Sequence, residues 1–356
     1  MGRTRTLAEV YRRFGEVDAA GTSPLYERVA VAIAESDEAL RAVEAAPARK
    51  RRPAVILAAL HDLALAGRAP ALAAAYSAGD GDAAADAAIA TLVRMTDPVV
   101  ALATRRSPRT DESGHCAVLY PAVAEAARRV GATAVGLVDV GRSAGLNLSV
   151  DRVGITYGTG PALGDPSSPV QMSASVVGDR PVPTRPMPEV VTRIGVDLDP
   201  VDVTDEAEAR WLRACLWPDH RERIARLEAE IALAATAPPL LLRGDPVAVL
   251  PDALARVPAD TLPVVTTTWA LSRVPLEDRL RFLHRLDAAA TNRPAAWVSV
   301  EGVGVAPAIP TFGDRRASGH SIIGLAVFAH SSLRADALGR CWSQGRLLWT
   351  ARDEEP

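Results

Sequence analysis

An α/β fold behind an all-helical stretch is the class this sequence predicts, and three observations predict it. Up to about residue 130, Ala, Leu and Arg dominate and β-branched alternation is absent. From residue 134 onward, short apolar or β-branched runs alternate with amphipathic segments. That is the pattern of strands joined by helices that cover both faces of a mostly parallel sheet. The 356 residues suffice for two ordinary domains. The change of pattern sets their expected boundary, with a helical domain over 1–130 and an α/β domain over 131–356.

In chain order, Leu7, Val10, Tyr11 and Phe14 form the one-sided stripe of an opening amphipathic helix. Gly79-Asp80-Gly81-Asp82 marks a turn. Ile89, Leu92, Val93 and Thr96 resume helical spacing, and Asp97-Pro98 breaks or starts a helix. Strands are expected at Ala134–Val140, Val190–Val196, Pro239–Leu242, Leu262–Thr267, Ala295–Val300, Ser321–Ala329 and Gly345–Thr350. Between them, Thr204 precedes Asp205, Glu206 and Glu208, acids placed where a helix dipole favours them, with Trp211, Leu212, Cys215 and Leu216 as the buried face. Asp219 and Glu222 have capping-box spacing ahead of Ile224, Leu227 and Ile231, and Leu276, Leu280, Leu283 and Leu286 mark another helix. Residues 151–189 fit neither pattern. Their seven prolines and five glycines predict an irregular Pro/Gly-rich insertion, either a lid or binding loop or a loop without a role.

Composition excludes several function classes. A formal net charge of -3 implies no general affinity for nucleic acid or anionic membranes. Of 40 basic residues only Lys50 is a lysine, a bias of codon usage rather than a sign of phosphate recognition. Cys116, Cys215 and Cys341 lie far apart, and neither C-x-x-C nor H-E-x-x-H occurs, so no metal site or disulfide framework is expected. No apolar run reaches the roughly 20 residues of a membrane span. Pro53 to Ala66 comes nearest and is interrupted by His61 and Asp62. The first residues lack the apolar centre of a signal peptide. A cytoplasmic protein acting on a small-molecule substrate is expected, with no nucleic-acid or membrane partner.

The most informative stretch is Leu137 to Leu148, LVDVGRSAGLNL. An apolar strand stops at a turn of small residues, and a helix-compatible segment follows. Two chemistries fit. A small-residue turn lets backbone N–H groups approach a nucleotide-type cofactor. The same Gly-x-Ser-x-Gly is also the nucleophile elbow of serine hydrolases, with Ser143 as nucleophile and His284, His320 or His330 as its base. Against the elbow, no strands are expected upstream and no HGGG-type loop is present.

VDVGRSAG resembles the first motif of class I S-adenosylmethionine-dependent methyltransferases, with Ser143 where a glycine is commoner. The resemblance implies a Rossmann-like seven-stranded sheet over roughly residues 130 to 350. It implies that Asp139 contacts the amino-acid part of S-adenosylmethionine and that Gly141, Ser143 and Gly145 form the turn around it. Asn147, in the segment after the turn, is a candidate hydrogen-bonding partner of the ligand. IGVDLDP resembles the end of the second strand, whose acid binds the ribose hydroxyls, here Asp197 with Asp199 as alternate. LLLRGDPVAVLP resembles the third strand and its acid, Asp245, which would reach the adenine amino group. VVTTTWALSRVP resembles the fourth strand and its loop, where Trp269 would pack on adenine or substrate. The 58 residues from Asp139 to Asp197 exceed the family's usual spacing of about twenty, and the insertion fills the gap. Methyl transfer to a small molecule is therefore the expected function. Serine hydrolysis through Ser143, or a methyltransferase fold with repurposed or no catalysis, are the alternatives.

The whole chain also resembles a bacterial family of unknown function that carries a helical N-terminal half, a T-N-E-V-G-R-like segment, a GxSAGLNL turn, D-R-Y and G-D-P-x-S-P. The matching stretches are Thr110 to His115, Gly141 to Leu148, Asp151-Arg152-Val153 and Gly164 to Pro169, with Asp111 for the asparagine and His115 for the arginine. Glu112 and His115 precede a helical run at the domain junction, where clefts favour ligands. Glu112 and His320 are candidate substrate contacts. His115, with Tyr157 and Asp165 of the insertion, are candidates for catalysis.

Overall fold

A computed structural model of the chain describes residues 5–109, 115–158, 160–178, 180–329, 332–342 and 346–350. The chain divides into two compact units, Met1–Thr110 with Asp205–Glu228, and Asp111–Thr204 with Ala229–Pro356.

The first unit begins with α1 (Leu7–Arg13), α2 (Pro24–Glu35), α3 (Asp37–Glu44), α4 (Pro53–Leu65), α5 (Pro70–Ala78), α6 (Gly81–Arg94) and α7 (Thr96–Arg105). Their starts are written in the sequence. Thr6 and Glu9 form a reciprocal capping box on α1. Prolines whose missing N–H is harmless at a first turn open α2, α4 and α5. α4 is apolar nearly all round and is buried along most of its length, the expected fate of a helix without a polar face.

The chain continues with α8 (Cys116–Val130), which belongs to the second unit because its buried face packs in one cluster with Leu137, Val264, Val298 and Leu325 of the sheet. The division thus falls near residue 110 rather than at the expected 130. α9 (Glu206–Ala214) and the opening of α10 (Arg221–Ala235) join the helical unit, with Ala58 of α4 packed against Trp211.

The second unit is a mixed α/β fold around one 11-stranded sheet. Its strands are β1 (Ala134–Val140), β2 (Gly154–Tyr157), β3 (Leu163–Gly164), β4 (Gln171–Val176), β5 (Glu189–Asp197), β6 (Leu240–Arg243), β7 (Leu262–Thr268), β8 (Ala295–Gly302), β9 (Ser321–Ala329), β10 (Ser332–Trp342) and β11 (Arg346–Trp349). The order is β3-β2-β4-β11-β10-β9-β8-β7-β1-β5-β6. The run β6-β5-β1-β7-β8 is parallel throughout, with Val138 level with Ile194 on one side and Val265 on the other. β1, β7 and β8 are buried almost throughout because both faces are covered, whereas β5 is buried only over Ile194–Val196 and β6 is the open edge. α8 lies in the cluster on one face, and α11 (Pro246–Ala255) and α12 (Leu276–Ala289) lie in the cluster on the other.

Three differences from the sequence expectation have physical reasons. The sheet has eleven strands rather than seven. Residues 151–189 supply β2, β3 and β4, because their prolines and glycines separate short strands instead of dissolving them. β10 is invisible to an apolar-run criterion since Arg334, Asp336 and Arg340 interrupt it, and its first half is largely exposed. The turn after β1 leads not into an α-helix but into a seven-residue 3-10 segment, Leu146–Arg152, kinked at Ser149. Among the described residues no single helix is long and apolar enough to cross a membrane.

Candidate functional site

β1 pairs in parallel on both flanks, with β5 on one side and β7 on the other, and the chain crosses over from β6 to reach β7. In open α/β sheets, the carboxyl ends of two such strands form a crevice between loops that diverge in opposite directions. Here the switch point lies where β1 gives way to Gly141 and β7 to Trp269, and Ala270 of the β7 loop packs on Gly141 there.

On the β1 side, Gly141 has φ +80, and a Cβ there would lie 2.5 Å from the Cβ of Ala270, so only glycine fits. Its N–H donates to the Val196 carbonyl at 2.9 Å, tying the turn to β5. Gly145 is also left-handed, at φ +61. Asp139 is fully buried, and its Oδ1 accepts from the Thr266 hydroxyl at 2.6 Å. Arg142 Nε (3.0 Å) and Asn147 Nδ2 (3.2 Å) both donate to Thr268 Oγ1. Ser143 is buried at 3% exposure, and its carbonyl accepts from Val201 N–H at 2.8 Å. A cleft of about 560 Å3 adjoins this turn, bounded by Ala144, by residues 200–204 after β5, and by 238–241 at the start of β6. That is within the usual size of ligand pockets.

On the β7 side, Trp269 adopts φ +51, a conformation rare for a bulky side chain. Neighbours hold it there. Its N–H donates to Val300 O at 2.9 Å and its Nε1 to Ser321 Oγ at 2.6 Å. The buried His115 ring meets its indole edge-on at 4.8 Å, and the Arg142 guanidinium lies 5.7 Å from its centre. Two further non-glycine residues with positive φ, Ala308 and Phe312, lie in the loop after β8. Such strain concentrates where a site needs its groups fixed.

Glu301, at the end of β8, secures that arrangement. Its Oε1 accepts from the N–H groups of Ala270 (3.0 Å) and Leu271 (3.1 Å), directly after Trp269. Its Oε2 is buried and makes no hydrogen bond of good geometry. Burial pushes this carboxyl up to about 7, against the opposing pull of those two N–H groups, the Thr267 hydroxyl and the Arg142 charge. In the loop after β8, Asp314 accepts from Arg340 Nε at 2.6 Å and Nη2 at 2.9 Å, and lies 2.8 Å from His320 Nε2. Its hydrogen bond from Arg340, and then the one from His320, hold the Asp314 carboxyl down at about 2.

The other sequence candidates lie as follows. Asp197 is half-buried at the end of β5 and its Oδ1 accepts from Asp199 N–H at 2.8 Å, with Leu198 between them 67% exposed. Asp199 pairs with Arg243 at 2.8 Å. Asp245 caps α11, accepting from Val247 and Ala248 N–H at 3.0 Å each. Tyr157 lies buried on β2 with its hydroxyl donating to the Ala117 carbonyl, and burial raises its phenol. Asp165 is exposed, and its bonds from the Ser167 hydroxyl and N–H hold its carboxyl below the usual value. His284 is exposed on α12. Glu112, with the rest of Thr110 to Gly114, and His330 lie outside the described residues.

The structure therefore gathers Asp139, Gly141, Asn147, Trp269 and His115 around Thr266 and Thr268. It sets His320 next to Ser321, which anchors Trp269. Tyr157 and Asp165 belong to the β2–β4 region instead. Sequence reasoning missed Arg142, Thr268, Glu301, Asp314 and Ser321. The signal for Glu301 was available, a lone acid ending the apolar run AAWVSV.

The family model described as "Uncharacterized protein conserved in bacteria (DUF2332)" matches residues 8–349. No curated protein matches the chain. The chain belongs to that bacterial family.

Proposed function

We propose that the sheet-bearing unit binds S-adenosylmethionine in a methyltransferase-type manner and transfers its methyl group to a small molecule. The observation that carries this reading is the β5-β1-β7 arrangement, with a glycine turn on the first strand and an acid ending the strand beside it. The residues fit the adenosyl part in chemistry. Asp197 offers a carboxylate suited to two hydroxyls of a ribose, and the exposed Leu198 next to it offers apolar surface for a base. Asp139 and Asp245 fit less well than the resemblance implies, because Asp139 is fully buried with Oδ1 bonded by Thr266, and Oδ1 of Asp245 is taken by two N–H groups of α11.

When bound, the cofactor supplies an electrophilic methyl group on a sulfonium, and the protein's part is then position and exclusion of water. Gly141 permits close approach of the turn. Thr268 fixes Arg142 and Asn147 relative to each other. Trp269 is held as a rigid wall by Ser321, His115 and the Glu301-bound loop.

Calorimetry with S-adenosylmethionine and S-adenosylhomocysteine tests the reading. Saturable binding is expected, weakened about tenfold or more in Asp197→Ala, the loss of two hydrogen bonds to a charged acceptor. No heat at millimolar ligand, or equal affinity in the variant, removes it.

A further inference from the structure

The helical unit contains a concave site apart from the sheet edge. A cleft of about 470 Å3 is formed by the 3-10 segment Ala48–Lys50, the start of α4 and the chain after α7. Arg49, Lys50, Arg52 and Ser107 line it, and no acid among the described residues does.

The four consecutive cations Arg49 to Arg52 divide into two roles. Arg51 donates to Ala46 O at 2.8 Å and Glu44 O at 2.7 Å, and Lys50 Nζ donates to Arg106 O at 2.6 Å and reaches Ser107 Oγ at 3.5 Å. These bonds pin the middle of the run. Arg49 and Arg52 are exposed and make no hydrogen bond or ion pair among the described residues. Among the described residues no acid pairs with either of them. Partial burial, and then the charges of Arg49 and Arg52, lower the Lys50 ammonium from its usual value. The chain as a whole is acidic, so this is a local concentration and not a general excess.

We infer that this cleft binds a small soluble ligand carrying a phosphate group. A dianion supplies counter-charge to this run of cations, and the two arginine forks, the ammonium and the Ser107 hydroxyl that line the cleft provide donors for its oxygens. The cleft is concave and of small-ligand size. A nucleic-acid surface instead spreads its cations along a stripe that follows many phosphates.

Titration of the full chain with inorganic pyrophosphate at low ionic strength tests this, alongside Arg49→Gln/Arg52→Gln. Both positions are exposed, and circular dichroism checks that the variant is folded. The expected result is saturable binding that rising salt weakens and that the double variant weakens about tenfold or more, through loss of two charge-assisted contacts. Three outcomes overturn the inference. They are no binding at millimolar pyrophosphate, unchanged affinity in the variant, and tighter binding to phosphatidic acid vesicles or duplex DNA than to pyrophosphate at equal phosphate.

Discussion

Two clusters of buried ionisable groups, one in each unit, are bonded differently. In the helical unit, His61 and Asp62 sit together on α4. His61 Nδ1 faces the carbonyls of Ala214 (3.3 Å) and Leu216 (3.1 Å), so that nitrogen carries the proton. Burial pulls the imidazole down to about 4 and keeps it neutral. Asp62 accepts from Arg210 Nε at 3.1 Å. In the sheet unit, Glu301 binds two N–H groups with one oxygen and leaves the other without a hydrogen bond of good geometry, beside a tryptophan in a strained conformation. Burial of a charge does not by itself mark a site. Completed bonding belongs to the fold, whereas incomplete bonding beside strained backbone marks a place where something else is to bind or react.

The largest effect expected from this contrast is at Asp62. Arg210→Ala leaves the carboxylate buried without its partner and costs about 3–4 kcal/mol, read from denaturant melts at pH 7. Replacing Asp62 and Arg210 together by leucine recovers most of the loss. A single variant as stable as the parent would mean that the pair is not a structural one.

Next come two pH dependences of opposite sign, each on the order of 3 kcal/mol from shifts of roughly 2.5 pH units. For Glu301 the unfolded chain releases its proton near 4.5 while the folded chain holds it to about 7. Stability therefore falls as pH rises through that window, and the cost remains above it. Glu301→Gln keeps an acceptor for Ala270 and Leu271 and removes the ionisation. The variant should be more stable than the parent at pH 8 and no more stable at pH 4.5. For His61 the unfolded chain takes up its proton near 6.5 and the folded chain only near 4. Stability is lost as pH falls through that range, and His61→Gln should remove the dependence. A Glu301→Gln gain that ignores pH would show that the side chain acts through packing alone.

A smaller contrast compares two left-handed glycines. Gly79 closes α5 at φ +72 with open space around its Cα, while Gly141 meets Ala270. Gly79→Ala should cost about 1 kcal/mol, the backbone preference alone. Gly141→Ala should cost about 2 kcal/mol or more and should displace Ala270, which raises iodide quenching of Trp269 relative to a Trp269→Phe control. Equal costs would mean that the turn is not tightly packed against the β7 loop.

Legibility from sequence followed the same division between local and distant determinants. Continuous apolar strands and capped helices are local signals, so β1, β5, β7, β8 and β9 were found nearly to the residue. β10 was missed because its pairing with β9 decides its state, not its own polar alternation. β2 to β4 were missed because proline and glycine punctuate them. At the site, the turn 141–145 was visible, since small residues after an apolar run have a direct conformational meaning. Thr268 and Ser321 were not visible, and Glu301 stood out only as a lone acid without a role, because their task is to hold Arg142, Asn147 and the Trp269 loop, and only the sheet order makes them neighbours.

The smallest expected effect separates a cap from a ligand contact. Asp245 resembles an adenine-binding acid by its place after the third parallel strand, yet its Oδ1 receives both the Val247 and Ala248 N–H groups of α11. Loss of such a cap costs about 1 kcal/mol. Asp197, at the end of β5, bonds one N–H of its own turn through Oδ1 and stands beside the exposed Leu198. If these geometries define the roles, Asp245→Ala lowers the melting temperature and leaves affinity for S-adenosylhomocysteine unchanged, while Asp197→Ala does the reverse. A loss of affinity in Asp245→Ala as large as in Asp197→Ala would put both acids in one ligand site, and the capping geometry would then be secondary to binding.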